Sequence, residues 1–184
     1  MSQYVKNEFS QLYKSTIGVD VLSKQIQIKN QLVQLILWDT AGQELRCTKT
    51  LFHDADGCIL IFNLTEKSSF EQVEFWRKQF LKDLQPLDGE EFPFILIRNM
   101  SNMQNVSFVK DENIQDYCLS YNDIPYFYWS AKIGDNVEDT FTKIVELSFN
   151  RANQEIIKKS KEKKFIKIDK RGNIIIPKKK IERK

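Results

Sequence analysis

The stretch LVQLILWDTAGQE, residues 32–44, decides how the rest of the chain is interpreted. Its apolar half predicts a strand, and its polar half predicts a ligand-binding loop at the carboxyl end of that strand. A carboxylate such as Asp39 can hold a Mg²⁺-bound water, the Gly42 amide can approach a phosphate, and Gln43 can orient a water for in-line attack. The same residues also occur in ordinary turns, so this segment alone leaves both a structural and a functional interpretation open.

Strand-like and helix-like segments alternate on both sides of this stretch. Strands are predicted over residues 19–29, 32–38, 58–64, 93–98 and 125–129, and the first two are expected to form a hairpin through a turn at Asn30-Gln31. Helical spacing follows a Ser68 cap and continues to Leu84, recurs over residues 110–120 and returns from Asp135. This alternation predicts an α/β fold with a mostly parallel sheet, covered on both faces, and one antiparallel edge hairpin.

The composition is that of a globular chain. Hydrophobic residues make up 41% and aromatic residues 12%, which excludes wholesale disorder. No apolar run reaches the roughly 18 residues that a membrane-spanning helix needs, and the first ten residues lack a signal core. Cys47, Cys58 and Cys118 are irregularly spaced and odd in number, so we expect free thiols and a cytoplasmic location.

Charge divides the chain into an acidic body and a basic extension. Residues 151–184 contain fourteen Lys and Arg against four Asp and Glu, a net charge of +10, whereas residues 1–150 carry −7. We therefore expect a domain over 1–150 and an extension over 151–184, in which FIKID and NIIIP can pair as a short hairpin. The extension is either a solvated segment or a patch for an anionic membrane or an acidic protein surface. Nucleic acid is not expected as a partner, because Phe165 is the extension's lone aromatic residue.

Three motifs, in order along the chain, resemble the Ras superfamily of small GTPases and, within it, the Rab branch. Thr16-Ile17-Gly18 resembles switch I, WDTAGQE at 38–44 resembles the start of switch II, and Ser130-Ala131-Lys132 resembles the guanine-binding loop. The segments FPFIL, NDIPYF and IKIDK are most similar to the late-endosomal Rab branch. The resemblance implies a three-layer, P-loop NTPase-like fold and a GTP-dependent switch of vesicle trafficking that selects effector proteins.

The resemblance also implies roles for individual residues. GTP or GDP would be bound by Thr16, Asp39, Gly42, Asn99, Asn102, Ser130, Ala131 and Lys132. Thr16 and Asp39 would hold Mg²⁺, and Gln43 would be the catalytic residue that positions the attacking water. The effector surface would include Ile17, Gly18 and Trp38.

The chain also departs from the family pattern. No G-x-x-x-x-G-K-[ST] string occurs in its 184 residues, so the first strand and the phosphate loop are expected to be missing. The base-reading N-K-x-D aligns with Asn99-Met100-Ser101-Asn102. There Met100 removes a lysine, and Asn102 offers an amide where a carboxylate would accept both guanine N–H groups. No cysteine follows Cys118, so no prenyl anchor is expected.

Two functions remain open at this point. One is a pseudo-GTPase with a degenerate nucleotide site, kept as a protein-interaction module or as a subunit of an assembly. The other is a working GTP-hydrolysing switch whose assigned start lies downstream of the phosphate loop. In either case we expect a cytoplasmic protein, placed peripherally on intracellular membranes or within a larger assembly.

Overall fold

The computed structural model describes residues 1–8, 16–40, 52, 54–84, 91–99, 108–130, 134–163, 167–168 and 174–175. For residues 158–163, 167–168 and 174–175 it describes the backbone alone. The chain divides into two compact units, Met1–Phe149 and Asn150–Lys184. In chain order the elements are α1 Ser2–Lys6, β1 Val19–Ile28, β2 Gln31–Thr40, β3 Cys58–Asn63, α2 Lys67–Glu71, α3 Val73–Leu84, β4 Phe94–Asn99, α4 Asp111–Ser120, β5 Tyr126–Trp129, α5 Val137–Lys163, β6 Lys167–Ile168 and β7 Ile174–Ile175.

The strands of the first unit form two sheets. Strands β3, β4 and β5 are parallel and lie in that order, and β1 and β2 form an antiparallel hairpin. This arrangement confirms the predicted α/β class with a parallel sheet and an antiparallel hairpin. Within the described residues β2 pairs with β1 and β3 pairs with β4, and no strand joins the hairpin to the parallel sheet.

Two predicted details are wrong. The hairpin turns at Lys29-Asn30, where φ values of 46° and 64° give the left-handed pair that matches the twist of the strands. Strand β2 therefore begins at Gln31. Ser68 is not a helix cap, because α2 begins at Lys67 and its N-cap position is Glu66. The Ser68 hydroxyl instead donates to the Glu66 carboxylate at 2.9 Å.

Two apolar cores lie on the two faces of the parallel sheet. Successive residues of a strand point to opposite faces. Phe94 and Leu96 of β4 accordingly belong to a cluster that contains residues of α3 and α4. Ile95 and Ile97, both 0% exposed, belong to a cluster with α5 and the inner face of the hairpin. The sheet is thus covered on both faces, as a three-layer α/β fold requires.

The second unit contains the end of α5 and the β6–β7 hairpin, in which Lys167 pairs with Ile175 and Ile168 pairs with Ile174. On this part of α5, Arg151 and Glu155 form an ion pair at 3.1 Å. Among the helices that the structure describes, none combines the length and the apolar character needed to cross a membrane.

Candidate functional site

The carboxyl end of β2 brings two carboxylates together. The register of the hairpin places Asp39 directly opposite Asp20, and both side chains are exposed. Burial lowers the pKa of the Met1 α-amino group, while the charges of Asp39 and Asp20 act in the opposite direction and raise it. Two like charges in adjacent strands repel each other, so this end of the hairpin favours a nearby cation.

Next to these carboxylates lies an exposed apolar surface. Trp38 is in register with Val21, and their side chains are 50% and 46% exposed. Ile17 is 92% exposed and is followed by Gly18 at a φ of 72°, a conformation that other residues rarely adopt. Gly18 therefore allows the chain to turn into β1 while Ile17 remains in solvent.

The carboxyl ends of β4 and β5 bring a second group of predicted site residues together. Asn99 is in register with Trp129, and Ser130 follows directly. The Asn99 carbonyl accepts a hydrogen bond from the Leu64 N–H at 3.3 Å, and the Ser130 carbonyl accepts one from the Gly134 N–H at 2.8 Å. These bonds connect the two strand ends to the loops that follow β3 and β5.

The predicted site residues therefore fall into two described groups. Thr16, Ile17, Gly18, Trp38 and Asp39 belong to the hairpin and the segment before it. Asn99 ends β4 of the parallel sheet, and Ser130 directly follows β5. Gly42, Gln43, Asn102, Ala131 and Lys132 lie outside the described residues. The roles of all these residues remain predictions.

Sequence reasoning missed Arg98, which precedes the base-reading segment. Its guanidinium carbon lies 4.6 Å from the centre of the Tyr128 ring, and its Nη1 forms an ion pair with Asp111 of α4. Arg98 and Tyr128 are register partners on β4 and β5. The available signal was a cationic residue at the end of the apolar run PFILIR, one residue before the strand ends.

Asn63 was also missed, although it ends β3 at the same edge of the sheet. Its side-chain oxygen accepts hydrogen bonds from the Thr65 N–H at 3.2 Å and from the Thr65 hydroxyl at 3.0 Å. Its own N–H donates to the Ser69 hydroxyl oxygen at 2.9 Å. Asn63 thus holds the loop between β3 and α2 in place.

A cleft of about 340 Å³ lies elsewhere in this unit, and none of the predicted site residues lines it. Inside it Lys24 Nζ donates to the Tyr4 carbonyl at 3.0 Å and to Glu138 at 3.1 Å, and it lies 3.7 Å from the centre of the Tyr4 ring. Burial, followed by the Glu138 charge, raises the pKa of Tyr4 to about 12. These contacts tie α1 and β1 to the start of α5.

Comparison with known proteins decides the family. A family profile described as the Ras family matches residues 1–150. The chain belongs to the Ras family. The Ras-related protein RABG3f of Arabidopsis thaliana is 39% identical over 159 residues, which cover 84% of this chain and 77% of that protein. The Ras-related protein Rab7 of Cenchrus ciliaris is 40% identical over 150 residues, covering 79% and 73%.

These relatives place the chain in the Rab7/RABG3 group of Rab-type small GTPases, the late-endosomal branch, and confirm the predicted resemblance. Proteins of the Ras family generally bind GTP or GDP with Mg²⁺. Rab proteins act in vesicle trafficking through effector proteins.

Two of the predicted site positions hold residue types that Mg²⁺ binds in proteins. The Thr16 hydroxyl and the Asp39 carboxylate are oxygen donors of the kind that Mg²⁺ prefers. Among the described residues, however, no three His, Cys, Asp or Glu side chains are grouped so that they could hold a metal ion. The base-reading segment ends in Asn102, whose side-chain amide has one acceptor oxygen and a donor NH₂ group. Mg²⁺ binding by Thr16 and Asp39, and guanine binding by the segment that ends at Asn102, therefore stay predictions.

Proposed function

We propose that this Rab-type chain is a pseudo-GTPase, a protein-interaction module or assembly subunit with a degenerate guanine-nucleotide site. The observation that carries the proposal is the segment from Asn99 to Asn102, which starts at the carboxyl end of β4. Its Met100 lacks an ammonium group, and the Asn102 amide leaves guanine donors badly paired, at a cost on the order of 1–3 kcal/mol. A loss of that size weakens affinity roughly 5- to 150-fold.

The interaction surface of this proposal is the exposed apolar group at the hairpin. Ile17, Gly18 and Trp38 would contact partner proteins, since Ile17 and Trp38 are 92% and 50% exposed. We further propose that residues 1–150 form the family domain. The basic extension 151–184 would hold the protein near anionic membranes or an acidic subunit, and each basic residue near a lipid surface contributes about 1 kcal/mol. The protein would then act in the cytoplasm, peripherally on intracellular membranes or inside an assembly.

The nucleotide content of the endogenous protein tests this proposal. The protein is isolated and denatured, and released nucleotide is quantified by chromatography. We expect only background amounts. Near-stoichiometric GDP or GTP would overturn the pseudo-GTPase proposal.

A restored base-reading segment gives a matched test. The double variant Met100→Lys/Asn102→Asp should bind fluorescent GDP at least about tenfold more tightly than the natural chain, because it regains a carboxylate acceptor and an ammonium group. Asn153→Asp introduces the same carboxylate on the exposed surface of α5 and should change nothing. Equal affinities for all three chains would contradict the argument from Asn102.

A working GTPase switch is the second candidate, and the intact segment from Asp39 to Gln43 favours it. In this candidate Asp39 and Thr16 hold Mg²⁺, while Gly42, Ser130, Ala131 and Lys132 contact the nucleotide and Gln43 orients water. It predicts bound nucleotide and a slow GTPase rate. Gln43→Leu should then abolish hydrolysis while nucleotide stays bound.

A further inference from the structure

The part of α5 that lies in the second unit exposes apolar side chains and keeps charged ones half-buried. The Arg151 and Glu155 side chains are 18% and 32% exposed and pair at 3.1 Å. Ile156 and Ile157 follow directly and are 64% and 50% exposed. A helix of a globular domain normally does the reverse, with its apolar residues inside and its charges in solvent. This inverted pattern is typical of a helix surface that contacts something other than water.

A dense group of lysines follows the two isoleucines. Residues 158–164, KKSKEKK, contain five lysines and one glutamate, a net charge of +4. Four of these lysines belong to α5, which ends at Lys163, and lie within about 10 Å of Ile156 along the helix axis. Exposed apolar residues and a cluster of cationic residues therefore adjoin on one helix.

This combination fits the surface of an anionic lipid bilayer. Isoleucine side chains gain from entering the boundary between headgroups and acyl chains, while lysines are attracted to anionic headgroups. Each basic residue near such a surface strengthens binding about fivefold. An acidic protein would also attract the lysines, but a bilayer accepts both isoleucines without a preformed groove. Residues 1–150 carry −7 and are repelled by anionic lipid, so the contact falls on the extension.

We propose that Ile156 and Ile157 insert into the interfacial region of an anionic lipid bilayer, next to which the lysines of residues 158–164 bind the headgroups. The inference rests on the proposed function, because it develops the membrane attachment proposed for the basic extension. It adds a second contribution to that attachment, since burial of apolar surface acts together with charge. In this arrangement the end of α5 lies in the plane of the membrane surface.

Vesicle binding of the full chain tests the proposal. One set of vesicles contains phosphatidylcholine with phosphatidylserine, and the other contains phosphatidylcholine alone, both at physiological salt. We expect the chain to bind the anionic vesicles at least about tenfold more tightly than the neutral ones. Equal binding to both sets, or no binding to either, would overturn the proposal.

Glutamine substitutions at the isoleucines measure the apolar contribution. Ile156→Gln/Ile157→Gln keeps the net charge and should weaken binding to anionic vesicles at least about tenfold, without changing its dependence on salt. Leu119→Gln removes a side chain of α4 that is 67% exposed, close to the 64% of Ile156, and should leave binding unchanged. Far-ultraviolet circular dichroism of each variant checks that its helix content is unaltered.

Glutamine substitutions at two lysines measure the charge contribution. Lys158→Gln/Lys159→Gln should weaken binding to anionic vesicles about 25-fold and make it less dependent on salt. Lys67→Gln/Lys78→Gln removes the same charge from α2 and α3, where these side chains are 69% and 70% exposed, and should change binding no more than about twofold. Equal losses in the two double variants would contradict the placement of the contact on the extension.

Quenching of tryptophan fluorescence detects insertion directly. Vesicles with bromine atoms on their acyl chains should quench the added tryptophan of Ile156→Trp, because this side chain enters the region that holds the bromine. Leu119→Trp carries the same fluorophore on α4 and should show only the quenching of the natural chain. If the two variants were quenched alike, α5 would not reach the acyl chains and the proposal would fail.

The outcomes also separate this inference from the proposed function. Salt-sensitive vesicle binding that Ile156→Gln/Ile157→Gln leaves unchanged would overturn insertion and retain attachment by charge alone. Binding to polyglutamate without binding to anionic vesicles would overturn a lipid partner in favour of an acidic protein. Nucleotide released from the denatured protein would overturn the pseudo-GTPase proposal, whereas vesicle binding is measured independently of nucleotide.

Discussion

Replacing Arg77 by alanine should destabilise the fold strongly, because this buried cation links two helices. Arg77 is 6% exposed, and its Nε donates to the Glu74 carboxylate at 3.0 Å within α3. Glu74 also accepts a hydrogen bond from the Tyr117 hydroxyl of α4 at 3.1 Å. The guanidinium carbon of Arg77 lies 3.7 Å from the centre of the Tyr121 ring, just beyond α4. The Arg77 side chain thus takes part in an ion pair with Glu74, in a hydrogen-bond network that includes Tyr117, and in a contact with the Tyr121 ring.

The size of the effect follows from these contacts. A hydrogen bond to a charged group is worth about 1.5–3 kcal/mol, and a desolvated cation–π contact adds about 1–2 kcal/mol. Removing one partner of a fully buried pair costs about 3–5 kcal/mol. The Glu74 side chain is 24% exposed and keeps a second cation, Lys78, at 3.2 Å, which reduces the penalty. We therefore expect Arg77→Ala to lower the free energy of unfolding by about 3 kcal/mol, three times the effect of a typical substitution.

Urea unfolding at neutral pH, followed by circular dichroism, measures this loss. Arg77→Lys keeps the charge but lacks the planar group that stacks on Tyr121, so it should lower the free energy of unfolding by about half as much. Lys78→Ala removes the partner of Glu74 that is 70% exposed and should change the free energy of unfolding by no more than about 0.5 kcal/mol. If Arg77→Ala and Lys78→Ala behaved alike, the cluster would not stabilise the fold as argued.

Three further predictions concern pH, close packing and thiols. Burial raises the pKa of Glu74, but hydrogen bonds from two cations and a tyrosine outweigh burial and leave its pKa below the usual 4.5. The stabilisation that the ionised Glu74 carboxylate provides is therefore complete above pH 4.5 and is lost as the pH falls through its lowered pKa. The urea midpoint should then drop more steeply in acid for the natural chain than for Glu74→Gln. Gly57→Ala should cost about 1–3 kcal/mol in urea unfolding, because the new Cβ would lie 2.9 Å from Ile144 Cγ1, and a gain in stability would contradict this packing. Burial, together with a nearby aspartate, raises the pKa of the Cys118 thiol to about 11, and Cys118 is 2% exposed, so at pH 8 a thiol reagent should modify it only after unfolding. Cys58 is half-buried and has a pKa raised by burial to about 12, so it should react slowly, and rapid labelling of Cys118 in the native protein, located by peptide mass mapping, would be inconsistent with this.

The alternation of strand-like and helix-like spacing of apolar residues was enough to predict the α/β architecture, because this spacing shows which face of each element is buried. Leu22, Lys24, Ile26 and Ile28 share the inner face of β1, as the period of two indicated. The turn was misplaced by one residue because its register depends on the pairing of two whole strands. Lys29 adopts a left-handed φ of 46° that its side chain does not favour, and only the hairpin as a whole imposes it.

Predicting the site was harder, because its chemistry depends on residues that are distant in sequence. The string WDTAGQE singled out Asp39, but its partner Asp20 becomes visible only through the hairpin register. The burial of Arg77 was not predicted for the same reason. Arg77 lies four residues after Val73, on the predicted apolar face of the helix, and a buried arginine is explained only by the partners that α4 brings to it.

The mismatch at Ile61 is informative in a different way. A continuous apolar run such as CILIFNL predicts a strand that is covered on both faces. Leu60 and Phe62 are buried at 7% and 1% exposure, whereas Ile61 between them is 53% exposed. The sequence pattern of a strand reflects the surroundings in which the protein functions, and the exposed fraction reflects the described chain alone. Ile61 lies on the strand for which the described residues supply one neighbour, β4, so its exposure is a property of those residues and does not contradict the pattern of the apolar run.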